Sequence, residues 1–176
     1  RDVAPSRGLG DVYKRQVMAN ADKWNLDSCR IGLMGFSAGG HLAATGLVTL
    51  KGELKPDFGI LVYPVISMKK NITHQFSRFN LMGKSPSEDT VIKFSTEEQV
   101  AEDTPATILF HCSDDPAVKP ENSIVFYQAL LRNAVPAEMH VYPKGRHGWG
   151  FIEGAPFPYF NEFKTTVLRW IAEQNN

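Results

Sequence analysis

The sequence has no run of apolar residues as long as the ~20 that a membrane-crossing helix needs, so a spanning helix is not expected. It has no surplus of charge of either sign: Lys and Arg together number 19, as do Asp and Glu. A balanced chain carries no basic footprint of the kind that phosphate backbones require, which argues against a nucleic-acid partner. Cysteine is scarce. Cys29 and Cys112 are the only two, too few and too far apart for a disulfide framework, and they read as buried, reduced thiols. Histidine, cysteine and carboxylate nowhere fall at metal-ligand spacing, and no glycine loop has a phosphate-binding pattern, so neither a metal nor a cofactor is implied. Internal repeats and low-complexity tracts are also missing. What remains is the composition of a globular domain, with 43% hydrophobic and 22% charged residues in 176 positions.

The first sixteen residues, RDVAPSRGLGDVYKRQ, differ in character from the rest of the chain. Ser6 to Gln16 can be back-translated, base for base, into a sequence resembling the transposase adapter of shotgun sequencing libraries, and Arg1-Asp2 into the end of a flow-cell primer. Residues 1–16 are therefore expected to be a non-native leader and are set aside, as a tag would be. Their four basic residues then count toward no partner. The remaining span, 17–176, is expected to belong to one domain.

From Val17 the periodicity alternates between helix and strand. Val17 to Trp24 reads as the end of a helix, and Arg30 to Phe36 as a strand buried on both faces. Ala38 to Leu50 suits a helix, and Phe58 to Ile66 a second buried strand with Pro64 near its end. Residues 67–104 are polar and weakly periodic, a natural place for short helices and a lid or substrate wall. Ala106 to Cys112 is a third strand. Pro120 to Arg132 is a helix opened by proline, with Ile124, Tyr127 and Leu131 at helical spacing. Ala137 to Tyr142 is a fourth strand, and a closing helix from about Tyr159 to Gln174 is expected to bury Phe160, Phe163, Val167 and Trp170. Such alternation predicts an α/β fold, a mostly parallel sheet with helices on both faces, whose working residues lie beyond the carboxyl ends of the strands.

Three of those loops carry reactive groups. Gly35-Phe36-Ser37-Ala38-Gly39 has the G-x-S-x-G pattern, in which a strand turns sharply into a helix with the serine at the tip. A side chain at Gly35 or Gly39 is expected to collide with the neighbouring strand or helix. Asp114-Asp115 comes after the third strand and His147 after the fourth. A serine hydroxyl becomes a useful nucleophile only when a neutral imidazole takes its proton, and a carboxylate must orient that imidazole. Ser37 is thus the candidate nucleophile and His147 the candidate base, in the order serine, acid, histidine of α/β-hydrolases. Asp114 and Asp115 compete for the acid position. The other histidines have blander readings: His140 exposed or structural, His111 and His41 hydrogen-bonded locally, His74 uninformative.

The segments RIGLMGFSAGGHLA (30–43), Asp114-Asp115-Pro116-Ala117-Val118 with Pro120-Glu121-Asn122-Ser123, Gly145-Arg146-His147-Gly148-Trp149-Gly150, and Phe79-Asn80-Leu81-Met82-Gly83 resemble the esterase and lipase branch of the α/β-hydrolase superfamily. Within it the sequence is most similar to acetyl xylan esterase-like proteins, over nearly all of 17–174. The resemblance implies that Asp115, three residues before Val118, is the acid. It implies that the N–H of Ala38 is one oxyanion donor, and that a His-Gly-Gly-Gly-type loop upstream would supply the other. That loop is not in the sequence, and losing one such donor costs about 10²–10³ in rate, so the chain as written is expected to be inactive. On the order of 100 residues, four strands and their connections, would precede Val17, making 17–176 the C-terminal part of one catalytic domain. Lys119 and Trp149 depart from the family's usual proline and phenylalanine and are expected on the rim of the site, Trp149 as a substrate contact.

The expected activity is that of a serine esterase deacetylating a carbohydrate such as xylan through an acyl-enzyme on Ser37. Its expected partner is a small-molecule or oligosaccharide ester, acting in a secreted or periplasmic setting if that ester is xylan and in the cytoplasm otherwise. A prolyl-oligopeptidase-type serine peptidase has the same triad pattern. A non-catalytic hydrolase-fold binding protein is disfavoured because all three triad positions are filled.

Overall fold

The computed structural model describes residues 14–26, 30–152 and 156–174. Residues 1–13 of the expected leader, and Cys29, lie outside them. The remaining leader residues, Lys14 to Gln16, open a helix α1 (14–19) that continues across the expected junction, with the Lys14 side chain buried and its Nζ on the carbonyl of Lys55. A break at Asn20 separates it from α2 (Ala21–Trp24), so the expected single helix over 17–24 is two pieces.

The sheet has four strands: β1 (Leu33–Phe36), β2 (Phe58–Val62), β3 (Ala106–Cys112) and β4 (Ala137–Tyr142). They pair in chain order, β1-β2-β3-β4, every pair parallel. Helix α3 (Ser37–Thr49) joins β1 to β2. The polar stretch 67–104 forms α4 (Gln75–Met82), α5 (Glu88–Phe94) and a short 3-10 turn (Thr96–Glu98). Helix α6 (Glu121–Arg132) joins β3 to β4, and α7 (Phe160–Glu173) closes the fold.

The central strands β2 and β3 are apolar on both faces because helices cover both. Leu61 and Leu109 point toward α3 and α6, where Ala43, Ala44, Leu47, Phe126 and Leu130 meet them. Their chain neighbours Ile60, Val62, Ile108 and Phe110 point the other way, into Phe163, Val167 and Trp170 of α7. Phe160, expected in that stripe, is only half-buried. A third, smaller cluster of Val65, Met68 and Val118 seats α4 and α5 through Leu81, Met82, Val91 and Phe94.

Three expectations about elements are corrected. The first strand begins at Leu33 rather than Arg30, and the second ends at Val62 rather than Ile66, because Tyr63 takes φ 38° and turns the chain out of the sheet. The face of α6 that meets the sheet is not that of Ile124 and Leu131, although Tyr127 packs partly against the core. Ile124 and Leu131 are exposed, and Asn122, Ser123, Phe126, Ala129 and Leu130 are buried instead. Two periodic stripes compete on that helix, and the polar pair Asn122 and Ser123 is drawn inward by partners that only the fold supplies. Asn122 Oδ1 accepts from the backbone N–H of Ile66 and Ser67, and its Nδ2 donates to the carbonyls of Ile72 and Lys119.

Candidate active site

Because every strand runs the same way, the loops after β1, β2, β3 and β4 all emerge at one edge. Ser37, Tyr63, Asp115 and His147 belong one to each.

Ser37 opens α3 directly from β1. Phe36 is still extended, at φ −118°, and Ser37 sits at φ 52°, a left-handed conformation that costs a residue with a side chain about 1–2 kcal/mol. The turn is tied down by the carbonyl of Ser37, which accepts from Val65 N–H at 3.0 Å. A Cβ on Gly35 would lie 2.3 Å from the carbonyl oxygen of Gly39 and 2.7 Å from the Ala43 methyl, as expected of a crowded elbow. Gly39 does not behave as expected: among the described residues a Cβ there meets nothing within 4 Å. The close approach is made instead at Gly40, where a Cβ would lie 2.6 Å from Pro64 Cβ.

Asp115 and His147 meet at Ser37. His147 Nδ1 donates to Asp115 Oδ2 at 2.6 Å, and Ser37 Oγ donates to His147 Nε2 at 2.8 Å. The proton assignment comes from the partners: a carboxylate has no proton to give, so Nδ1 carries one and Nε2 is left basic toward the hydroxyl. The Asp115 side chain is fully buried, whereas that of His147 is 21% exposed. Burial opposes the charge on Asp115, but donors from His111, His147 and the N–H groups of Val118 and Ala117 outweigh it and hold the carboxyl well below the usual carboxylate range. Asp114 turns aside, its Oδ1 accepting from Arg146 N–H at 2.8 Å. The two aspartates thus do different things: one faces the imidazole and the other pins the backbone of the loop that carries it.

That loop is held in unusual backbone. Gly145 (φ 153°), Arg146 (φ 58°), Gly148 (φ 87°) and Gly150 (φ 45°) all have positive φ, and a Cβ on Gly145 would lie 2.7 Å from Cys112 Sγ. Tyr63, which the sequence did not single out, supports the loop from β2. Its hydroxyl accepts from Gly150 N–H at 2.9 Å, and its ring centroid lies 4.7 Å from that of His147. Its only signal in the sequence was a position beside Pro64 at a strand end.

Trp149 is not on the rim. It is 3% exposed and stacks on Phe157 at 3.9 Å between centroids, with Tyr63 and Phe163 edge-on to it. A large apolar ring beside the sheet gains more from burial than from water, so the loop turns Trp149 into the core while His147 faces out. Lys119 is exposed and donates to the carbonyl of Asn71 at 3.1 Å.

The remaining histidines have local partners. His41 bonds the carbonyl of Phe94 at 2.8 Å, His74 caps α4 through Ser77, and His140 pairs with Glu138 at 2.6 Å while stacking on Phe110. His111 is fully buried and contacts Ser123, Val118 and Asp115. Cys112 is a free, buried thiol that burial, with Asp114 nearby, pushes up to about 12. Among the described residues no group of three or more His, Cys, Asp or Glu side chains is arranged to hold a metal ion, and no helix is long and apolar enough to cross a membrane.

Comparison with known proteins agrees with this architecture. An acetylxylan esterase of Xylanibacter ruminicola is 34% identical over 169 residues, which are 93% of this chain and 35% of that protein. Endo-1,4-beta-xylanase B of Butyrivibrio fibrisolvens is 34% identical over 153 residues, 80% of this chain and 24% of that one. The chain therefore spans about a third and about a quarter of these curated relatives. Among solved structures, an acetyl ester-xyloside bifunctional hydrolase from Caldicellulosiruptor lactoaceticus superposes with a TM-score of 0.86 at 34% identity, covering 98% of this chain and 66% of that one. The carboxylesterase Cest-2923 of Lactobacillus plantarum gives 0.79 at 25% identity, over 99% and 70%. The sequence profile of the prolyl oligopeptidase family matches residues 7–173, a span that holds all three reactive loops, and the chain belongs to that family, built on the α/β-hydrolase fold.

Proposed function

We propose that the protein is a serine ester hydrolase that removes acetyl groups from a carbohydrate of the xylan type. The observation that carries the proposal is the continuous path Ser37 Oγ to His147 Nε2, 2.8 Å, and His147 Nδ1 to Asp115 Oδ2, 2.6 Å. His147 takes the Ser37 proton as Oγ attacks the ester carbonyl. The imidazolium so formed is stabilised by Asp115, and it returns the proton to the departing sugar oxygen. A water activated by His147 then hydrolyses the acetyl-Ser37 ester and frees acetate. The oxyanion of each tetrahedral intermediate falls to the N–H of Ala38, in the first turn of α3, where backbone donors are unpaired and the helix dipole favours negative charge.

An ester rather than a peptide bond is supported by the names of the relatives, an acetylxylan esterase and an acetyl ester-xyloside hydrolase, both 34% identical to this chain. The test sets acetylated xylan and 4-nitrophenyl acetate against a prolyl-anilide peptide, in the complete protein. Turnover of the esters, lost by about 10³-fold or more in Ser37→Ala, is the expected result. Cleavage of the anilide in place of the esters would move the assignment to a peptidase, and failure of a fluorophosphonate to label Ser37 would sink the hydrolase reading.

A further inference from the structure

We infer that the Asp115 carboxylate serves two histidines, and that His111 is a positioning residue which sets the basicity of His147 through it; this rests on the reading of Ser37, His147 and Asp115 as the reacting groups. Asp115 accepts three hydrogen bonds and has the His111 ring beside it. Oδ1 takes the N–H groups of Ala117 and Val118, each at 2.9 Å. Oδ2 takes His147 Nδ1 at 2.6 Å and lies 3.4 Å from His111 Nε2.

The protonation of His111 is dictated by what surrounds it. Nε2 faces two groups with no proton to offer, the Val118 carbonyl at 2.9 Å and the Asp115 carboxylate, so it must carry a hydrogen. Nδ1 lies 2.8 Å from Ser123 Oγ, a hydroxyl able to donate. Ser123 on α6 thus fixes His111 as the Nε2–H form, and the contacts run Ser123, His111, Asp115, His147, Ser37 across α6, β3 and the loops after β3 and β4 to α3, the His111–Asp115 step being the long one. His111 and Ser123 are both fully buried, so water does not substitute for either.

The longer arm from His111 draws charge from the oxygen that His147 uses. A carboxylate with less charge stabilises imidazolium less, so His111 keeps His147 a weaker base than Asp115 alone would make it. The other titratable groups near the carboxylate are the Tyr63 hydroxyl and the Cys112 thiol, both pushed up by burial, and Asp114, engaged with Arg146 N–H. Neither Tyr63 nor Cys112 changes charge in the range where an imidazole titrates.

The test has two arms in the complete protein. Nitrogen NMR of labelled histidine, read in the resting protein, should show His111 as the Nε2–H tautomer; the Nδ1–H tautomer overturns the inference. In pH profiles of kcat/KM for ester hydrolysis, His111→Leu should move the acidic limb upward by about half a pH unit with KM unchanged. His111→Gln, whose amide can still donate to Oδ2, should restore the parent limb. A folded His111→Leu with the parent limb, or a Gln variant indistinguishable from Leu, removes the coupling. Turnover that survives Ser37→Ala would instead overturn the hydrolase reading and leave the tautomer result standing.

Discussion

At the scale of single residues, neighbouring identical side chains are given different work by small differences in direction. Asp114 and Asp115 are adjacent in sequence, yet one is exposed and holds Arg146 N–H while the other is buried against two histidines. Asp115→Asn is expected to lower kcat by about 10⁴-fold, because an amide that donates toward Nδ1 forces the wrong imidazole tautomer. Asp114→Asn keeps an oxygen for Arg146 N–H and should leave kcat close to the parent. Ester turnover under saturating substrate checks both. Two adjacent carboxylates before a proline look alike in the sequence, and only the resemblance to known esterases favoured the second.

At the scale of elements, the strand-to-helix turn rests on glycines that the pentapeptide pattern only half identifies. Gly35 fits the expectation, its Cβ site occupied by the backbone of α3. Gly39 is a helical residue whose Cβ site meets none of the described residues, whereas Gly40 faces the backbone of Pro64 at 2.8 Å. Gly40→Ala should therefore destabilise by about 1–3 kcal/mol through overpacking, and Gly39→Ala should be neutral or gain up to about 1 kcal/mol of helix propensity. Midpoints of urea unfolding for the two variants distinguish these outcomes. The reversal of roles was not legible in the sequence, because both glycines sit in the first turn of α3 and only the position of β2's end decides which one is crowded. β3, α7 and β4 were legible nearly to the residue, since β3 is an unbroken apolar run and α7 and β4 each have one period with no competitor. α6 misled because its polar Asn122 and Ser123 are recruited inward by the loop after β2 and by His111.

At the scale of the whole molecule, two buried carboxylates give the stability opposite dependences on pH. The folded Asp115 carboxyl is held below its ordinary range, so its contribution is fully present above the unfolded value of about 3.9 and fades as pH falls below it. Glu97 is the reverse. It is buried beside α6, its oxygens without a well-placed hydrogen-bond partner among the described residues and Lys69 Nζ 3.9 Å away, and burial raises its carboxyl. Its charged form costs stability at neutral pH, and that cost disappears as pH falls through the raised value. Glu97→Gln should accordingly stabilise the fold near pH 7 and make no difference near pH 4, while the loss caused by Asp115→Asn should stay constant over that descent and shrink only below about pH 4. Chemical denaturation at a series of pH values reads both slopes, and parallel slopes would contradict the assignment.

The sequence by itself determined the alternation of strand and helix, and hence a parallel sheet with one working edge, because those properties arise from the local period of apolar residues. It also placed serine, aspartate and histidine in loops at that edge. Which of two aspartates faces the imidazole, which glycine admits the second strand, that Trp149 turns inward, and that His111 lies behind Asp115 were decided only by tertiary structure. Each depends on a contact between segments distant in the chain, as Ser37 is from His147, or on the direction of one side chain at a turn, and no local period records either.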